Sequence, residues 1–189
     1  MKNRNERKKI LLLSDDCRFF SGVGTQSREL MFGTIHHYNW VQMAGGVRHQ
    51  EAGKIVDLSV AVAKETGIAD AYLKLYPVNN YGDSNILFNV IEMEKPDALM
   101  CFTDPRYWVW LFQVEDRIRT KIPLTFLTIW DCPPHPMWNR SFYMSCDALF
   151  PITHQTYNLV KWTLRPELCT TINGDFGKDG RVISTGKVE

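Results

Sequence analysis

Apolar residues in this chain fall in short compact blocks, and the stretches between them carry apolar positions at helical spacing. Ile10–Leu13 is such a block, ending in Ser14–Asp15–Asp16; Ser21–Gln26 follows as a loop holding Gly22 and Gly24, and 27–36 has the pattern of an amphipathic helix. Trp40–Ala44, closed by Gly45–Gly46, predicts a second strand. The largely polar residues 47–53, then Ile55, Leu58, Val62 and Ala63 before Gly67, predict a loop followed by a helix. Tyr72–Tyr76 alternates and stops at Pro77, which suits a strand at a sheet edge.

The second half continues the alternation. Asn79–Asp83 is a turn before a helix from Ser84 with Ile86, Leu87, Val90 and Ile91 apolar. Ala98–Phe102 is a continuous apolar run of the kind a strand buried on both faces shows, with Asp104 just past its end. An aromatic-rich helix is expected over about 106–119. Ile122–Trp130 is the next buried strand, closed by Asp131, and the prolines of 132–138 forbid a helix there. A short helix through Tyr143, a strand Ala148–Ile152 and a helix from Thr153 to about Trp162 complete the pattern. Strand–helix alternation of this sort predicts an α/β fold: one doubly wound, mostly parallel, Rossmann-like sheet of six or seven strands, with all strand carboxyl ends on one rim. The single domain is expected over 9–185, and the basic arm 1–8 is expected to be a solvated terminus.

Composition narrows the function classes. The net charge of +1 shows no bias toward nucleic acid or a membrane surface. No apolar run approaches the length of a membrane span and none has the form of a signal peptide, so a cytoplasmic chain is expected. Five widely spaced cysteines without a Cys-x-x-Cys pair predict reduced, mostly buried thiols. Gly-x-x-x-x-Gly-Lys-Ser/Thr and Gly-x-Ser-x-Gly are both missing, which argues against a P-loop nucleotidase and a serine hydrolase. His36 and His37 are adjacent rather than four apart and do not form a metal face.

The rim therefore carries the candidate chemistry: Asp15, Asp16, Gly22, Gly24, Asp104, Trp130, Asp131, His135 and Thr153–His154. Carboxylates accept hydroxyl hydrogen bonds, glycines let backbone amides approach a ligand, and flat rings cover sugar C–H faces, so the set suits a many-hydroxyl ligand. Each aspartate alone also fits a helix cap. A receiver-like regulatory module without enzyme activity is the alternative reading of Ser14–Asp15–Asp16, although the third aspartate and the lysine it needs are not at the expected rims.

With these residues in view, the chain resembles the N-terminal domain of GT-B fold glycosyltransferases of the retaining, glycogen-synthase-like and mannosyltransferase-like group. The resemblance spans roughly 8–185 and rests on Ser21–Gly22–Val23–Gly24 before a helix containing Arg28–Glu29–Leu30, on Thr128–Ile129–Trp130–Asp131, on Ser145–Cys146–Asp147–Ala148–Leu149–Phe150–Pro151–Ile152–Thr153, and on His154–Gln155–Thr156. It implies transfer of a sugar from a nucleotide-sugar donor to a carbohydrate or other hydroxyl acceptor. It also implies catalytic roles for Asp131 and His135 and substrate contacts from Gly22, Val23, Gly24, Asp104, Trp130, Trp138 and His154. Neither a metal nor a cofactor is expected. The family's second α/β domain has no counterpart within these residues, so the resemblance further implies an acceptor-side half that turns over little alone, completed by a separate C-terminal domain or prone to self-association.

Overall fold

The computed structural model describes residues 3–122, 124–129 and 137–165. The strands are β1 (Lys8–Asp15), β2 (Tyr38–Gly45), β3 (Val56–Asp57), β4 (Leu73–Pro77), β5 (Ala98–Thr103), β6 (Leu124–Ile129) and β7 (Ala148–Pro151). The helices are α1 (Gly22–Thr34), α2 (Ser59–Thr66), α3 (Ser84–Glu94), α4 (Val109–Phe112), α5 (Glu115–Arg119), α6 (Arg140–Met144) and α7 (His154–Leu164). Among the described residues one sheet of seven strands has the order β3-β4-β2-β1-β5-β6-β7. Every pair is parallel except β3 with β4. This is the doubly wound Rossmann-like single domain that the alternation predicts.

β1 lies at the centre because its apolar residues feed both layers. Leu11 and Leu13 enter one core with Leu87, Val90 and Ile91 of α3, while Leu12 enters the other with Met31 and Ile35 beside α1. Each of these leucines is fully buried, and burying one contributes about 2 kcal/mol. The strand order reverses at β1, between β2 and β5, and that is where an open parallel sheet leaves a crevice outside its carboxyl rim.

Four expectations change. The helix after β1 begins at Gly22, because the Ser21 side chain accepts from the Gly24 amide at 2.9 Å and closes the first turn. Gly22 and Gly24 are thus helical, and neither has a positive φ. The loop after β2 holds a two-residue antiparallel strand, β3, so the sheet edge is β3 and Tyr72–Tyr76 pairs on both sides. Two residues are too few to show an alternating pattern. The aromatic-rich segment breaks into a 3-10 turn at Pro105–Trp108 and the short α4 and α5, the Asp104 side chain capping the turn. Finally, Arg4–Glu6 forms a 3-10 turn and Arg7 is buried, its guanidinium donating to the Ile35 and Asp70 carbonyls and to the Asp70 carboxylate, so this part of the basic arm is docked. Among the described residues no helix is long and apolar enough to cross a membrane.

Candidate ligand cleft at the carboxyl rim

Asp15 ends β1 opposite Gly45 of β2. Its carboxylate accepts from the Ser21 hydroxyl at 2.9 Å and from the Tyr81 hydroxyl at 2.9 Å. The same Ser21 oxygen accepts from the Gly24 amide, so one hydroxyl ties the carboxylate to the first turn of α1. Gln42, fully buried on β2, donates to the Asp15 carbonyl at 2.7 Å and accepts from the Cys17 amide at 3.2 Å. Two glycines make room for this arrangement. A Cβ on Gly24 would lie 2.8 Å from the carbonyls of Asp16 and Phe19, and Gly46, at φ +90°, would bring one to 3.0 Å from the Asp15 carboxyl carbon.

Beside Asp15 opens a cleft of about 330 Å³, lined by Asp15, Ser21, Gly22, Val23, Gln26 and Phe102. A neighbouring hollow of about 250 Å³ shares Gln26 and Phe102 and continues along Leu30 to Phe150, Pro151 and Ile152. The first four amides of a helix lack intrahelical acceptors. In α1, Gly24 is capped by Ser21 and Thr25 donates to the Ser21 carbonyl, which leaves the Gly22 and Val23 amides without an acceptor among the described residues. The cleft lining thus includes residues with free amide donors at the positive end of a helix and, tied to that helix end through Ser21, a carboxylate with spare lone pairs. Phe102 of β5 lines both the cleft and the hollow.

The remaining rim groups are bound to one another. Asp16 is fully enclosed, and Arg18 grips both of its oxygens at 2.6–3.0 Å while reaching Glu51 at 2.8 Å. These contacts raise the Arg18 pKa above its ordinary value, the Asp16 hydrogen bond chiefly, and outweigh burial. His49 is buried against Phe19, its Nε2 3.7 Å from Asp16 Oδ2 and without a hydrogen-bond partner among the described residues. Burial first, and the charge of Asp16 second, push the Cys17 thiol up to about 12, so it is no nucleophile at neutral pH. Burial also raises the Tyr81 phenol, helped by its bond to Asp15, and keeps it a donor. For Asp104, burial is outweighed by hydrogen bonds from the Arg106 side chain and amide, which hold the carboxyl below the usual carboxylate range.

Of the sequence candidates, Gly22 and Val23 line the cleft, and Gly24 lies behind it with its amide committed to Ser21. Asp104 sits on the same rim but is engaged by Arg106. Trp138 is exposed in the 3-10 turn Met137–Asn139, and His154 opens α7, its Nδ1 accepting from Asn158 at 3.3 Å; neither lines the cleft. Trp130, Asp131 and His135 lie outside the described residues. The candidates that the pattern did not single out are Gln26, Gln42, Tyr81 and Phe102. Gln42 carried a signal, since a polar residue inside Trp40–Ala44 must find partners when the strand is buried. Tyr81 carried none, because its reach to Asp15 spans 66 residues of chain.

Fold and cleft define the chain as a doubly wound α/β domain with a mostly apolar pocket, bordered by the Asp15 carboxylate, outside the carboxyl ends of β1 and β5. It matches none of the protein-family models, curated proteins or solved structures with which it was compared.

Proposed function

We propose that this domain is the acceptor-side half of a glycosyltransferase that uses a nucleotide-sugar donor. The observation that supports the reading best is the cleft of about 330 Å³ lined by Asp15 and by Gly22 and Val23, whose amides have no acceptor among the described residues. Such a pocket matches a ligand that both donates and accepts hydrogen bonds, as a sugar does, and the carboxylate disfavours a strongly anionic ligand seated directly upon it. In the proposed reaction the acceptor hydroxyl lies near Asp15, and the donor phosphates approach the amides of Gly22 and Val23 from the open side. Asp131 and His135 stay the proposed catalytic groups and Trp130 a proposed substrate contact, while Trp138, Asp104 and His154 are outside the cleft lining. A second α/β domain supplies the groups that hold the donor diphosphate, which is the larger share of the catalytic stabilisation.

A regulatory receiver-like module is less well supported, because its chemistry needs an open acidic pair and Asp16 is enclosed by Arg18. The test is ligand-observed NMR of the purified chain against a panel of neutral oligosaccharides, UDP-glucose and GDP-mannose, with Asp15→Asn as control. Oligosaccharide binding that Asp15→Asn weakens is expected, with sugar-nucleotide turnover far below an ordinary enzyme rate of about 10 per second. No oligosaccharide binding overturns the reading, and turnover near that ordinary rate overturns the half-enzyme part of it.

A further inference from the structure

Between β1 and α1 the chain carries two adjacent phenylalanines with opposite fates. Phe19 stacks on His49 with ring centroids 5.1 Å apart, and its amide donates to the Asp16 carbonyl at 3.0 Å. Phe20 is fully exposed. The segment that presents it is held at both ends. On one side Arg18 bridges the enclosed Asp16 and Glu51, and on the other Ser21 is fixed by Asp15 and Gly24. Ser21 and Gly22, the next two residues, begin the lining of the cleft. An aromatic ring on a braced backbone loses little conformational freedom on meeting a ligand, which is the condition under which a contact contributes most to affinity.

We propose, building on the carbohydrate reading above, that Phe20, which is outside the lining itself but next in sequence to the cleft-lining Ser21, is an aromatic platform at the edge of this cleft. The C–H face of a neutral pyranose stacks on its ring while hydroxyls of the same or the next sugar reach Asp15 and the amides of Gly22 and Val23. The polarised C–H groups of a sugar meet the negative face of the ring, as the positive edge of one aromatic ring meets the face of another. The ligand class is therefore a neutral pyranoside with at least one uninterrupted C–H face.

The test compares wild type, Phe20→Ala and Phe20→Trp against a printed panel of gluco-, manno- and galactopyranosyl oligosaccharides. A fourth protein carries 4-fluorophenylalanine at position 20 alone, read by fluorine NMR. The Phe20 ring is fully exposed, so circular dichroism of Phe20→Ala should match wild type. The expected result is binding weakened about fivefold to tenfold in Phe20→Ala and retained in Phe20→Trp, the loss of one stacking contact, with a fluorine shift on adding the bound oligosaccharide. If wild type binds and Phe20→Ala binds equally, or the fluorine signal does not move, the platform is wrong while the carbohydrate reading stands. If wild type binds no oligosaccharide, both fall.

Discussion

Acid should loosen this domain through one carboxylate remote from the cleft. Glu94, the last residue of α3, is buried between β1 and β4 and accepts from Tyr72 and Tyr76 hydroxyls at 2.6 Å each, from Lys9 at 2.9 Å and from Lys74 at 3.3 Å. Burial pushes its pKa up, but the two tyrosine hydroxyls and Lys9 together prevail and bring it down from 4.5 to about 2. At about 1.4 kcal/mol per tenfold change in the proton equilibrium, that difference is worth about 3 kcal/mol of stability. The sign follows from the lowered folded-state pKa: the contribution is present above about 4.5 and is lost as the pH falls toward about 2. Glu94→Gln keeps the shape, removes the charge and leaves Lys9 and Lys74 facing an amide. Urea unfolding followed by circular dichroism should find Glu94→Gln about 2–3 kcal/mol less stable than wild type at pH 7, with most of that gap closed by pH 2.5. Titration of the other carboxylates cancels in the difference between the two proteins. A gap of the same size at both pH values, or no gap at pH 7, would refute the reasoning.

Three further outcomes follow from the packing. Gly24→Ala should cost about 1–3 kcal/mol, since its Cβ meets backbone carbonyls that cannot yield, whereas Gly22→Ala, with open space around it, should leave stability unchanged or slightly raised; equal thermal midpoints for the pair would show the packing argument wrong. Arg18→Ala should cost about 3–5 kcal/mol by leaving Asp16 enclosed without its charged partner, the amide of residue 18 alone still donating to it, and adding Asp16→Asn should recover part of the loss in a chemical denaturation series. Cys17 and Cys146, both pushed up to about 12 chiefly by burial, should resist iodoacetamide in the folded chain at pH 8 and react in urea, as peptide mass mapping will show; rapid labelling of the native protein would contradict their placement.

The layer structure was legible because it depends on local pattern. Short apolar runs such as Leu11–Leu13 and Ala98–Phe102 suit strands buried on both faces, and the helical spacing between them supplies the crossovers that make the sheet parallel. The same local logic placed Asp15, Gly22, Val23 and Asp104 on one rim. It did not distinguish their roles, because those depend on partners distant in sequence. Asp104 looked as available as Asp15, yet Arg106 occupies it, while Asp15 is framed by Ser21 and by Tyr81 from across the sheet. Gly22 and Gly24 read alike as loop residues. The Ser21 cap made both helical, and packing separated them, one lining open space and the other pressed against two carbonyls. Strand order and rim membership thus follow from periodicity, which each residue carries in its immediate neighbourhood. Which carboxylate stays open to a ligand, and which glycine is obligatory, was decided only when folding brought hydrogen-bond partners from separate strands within about 3 Å of one another.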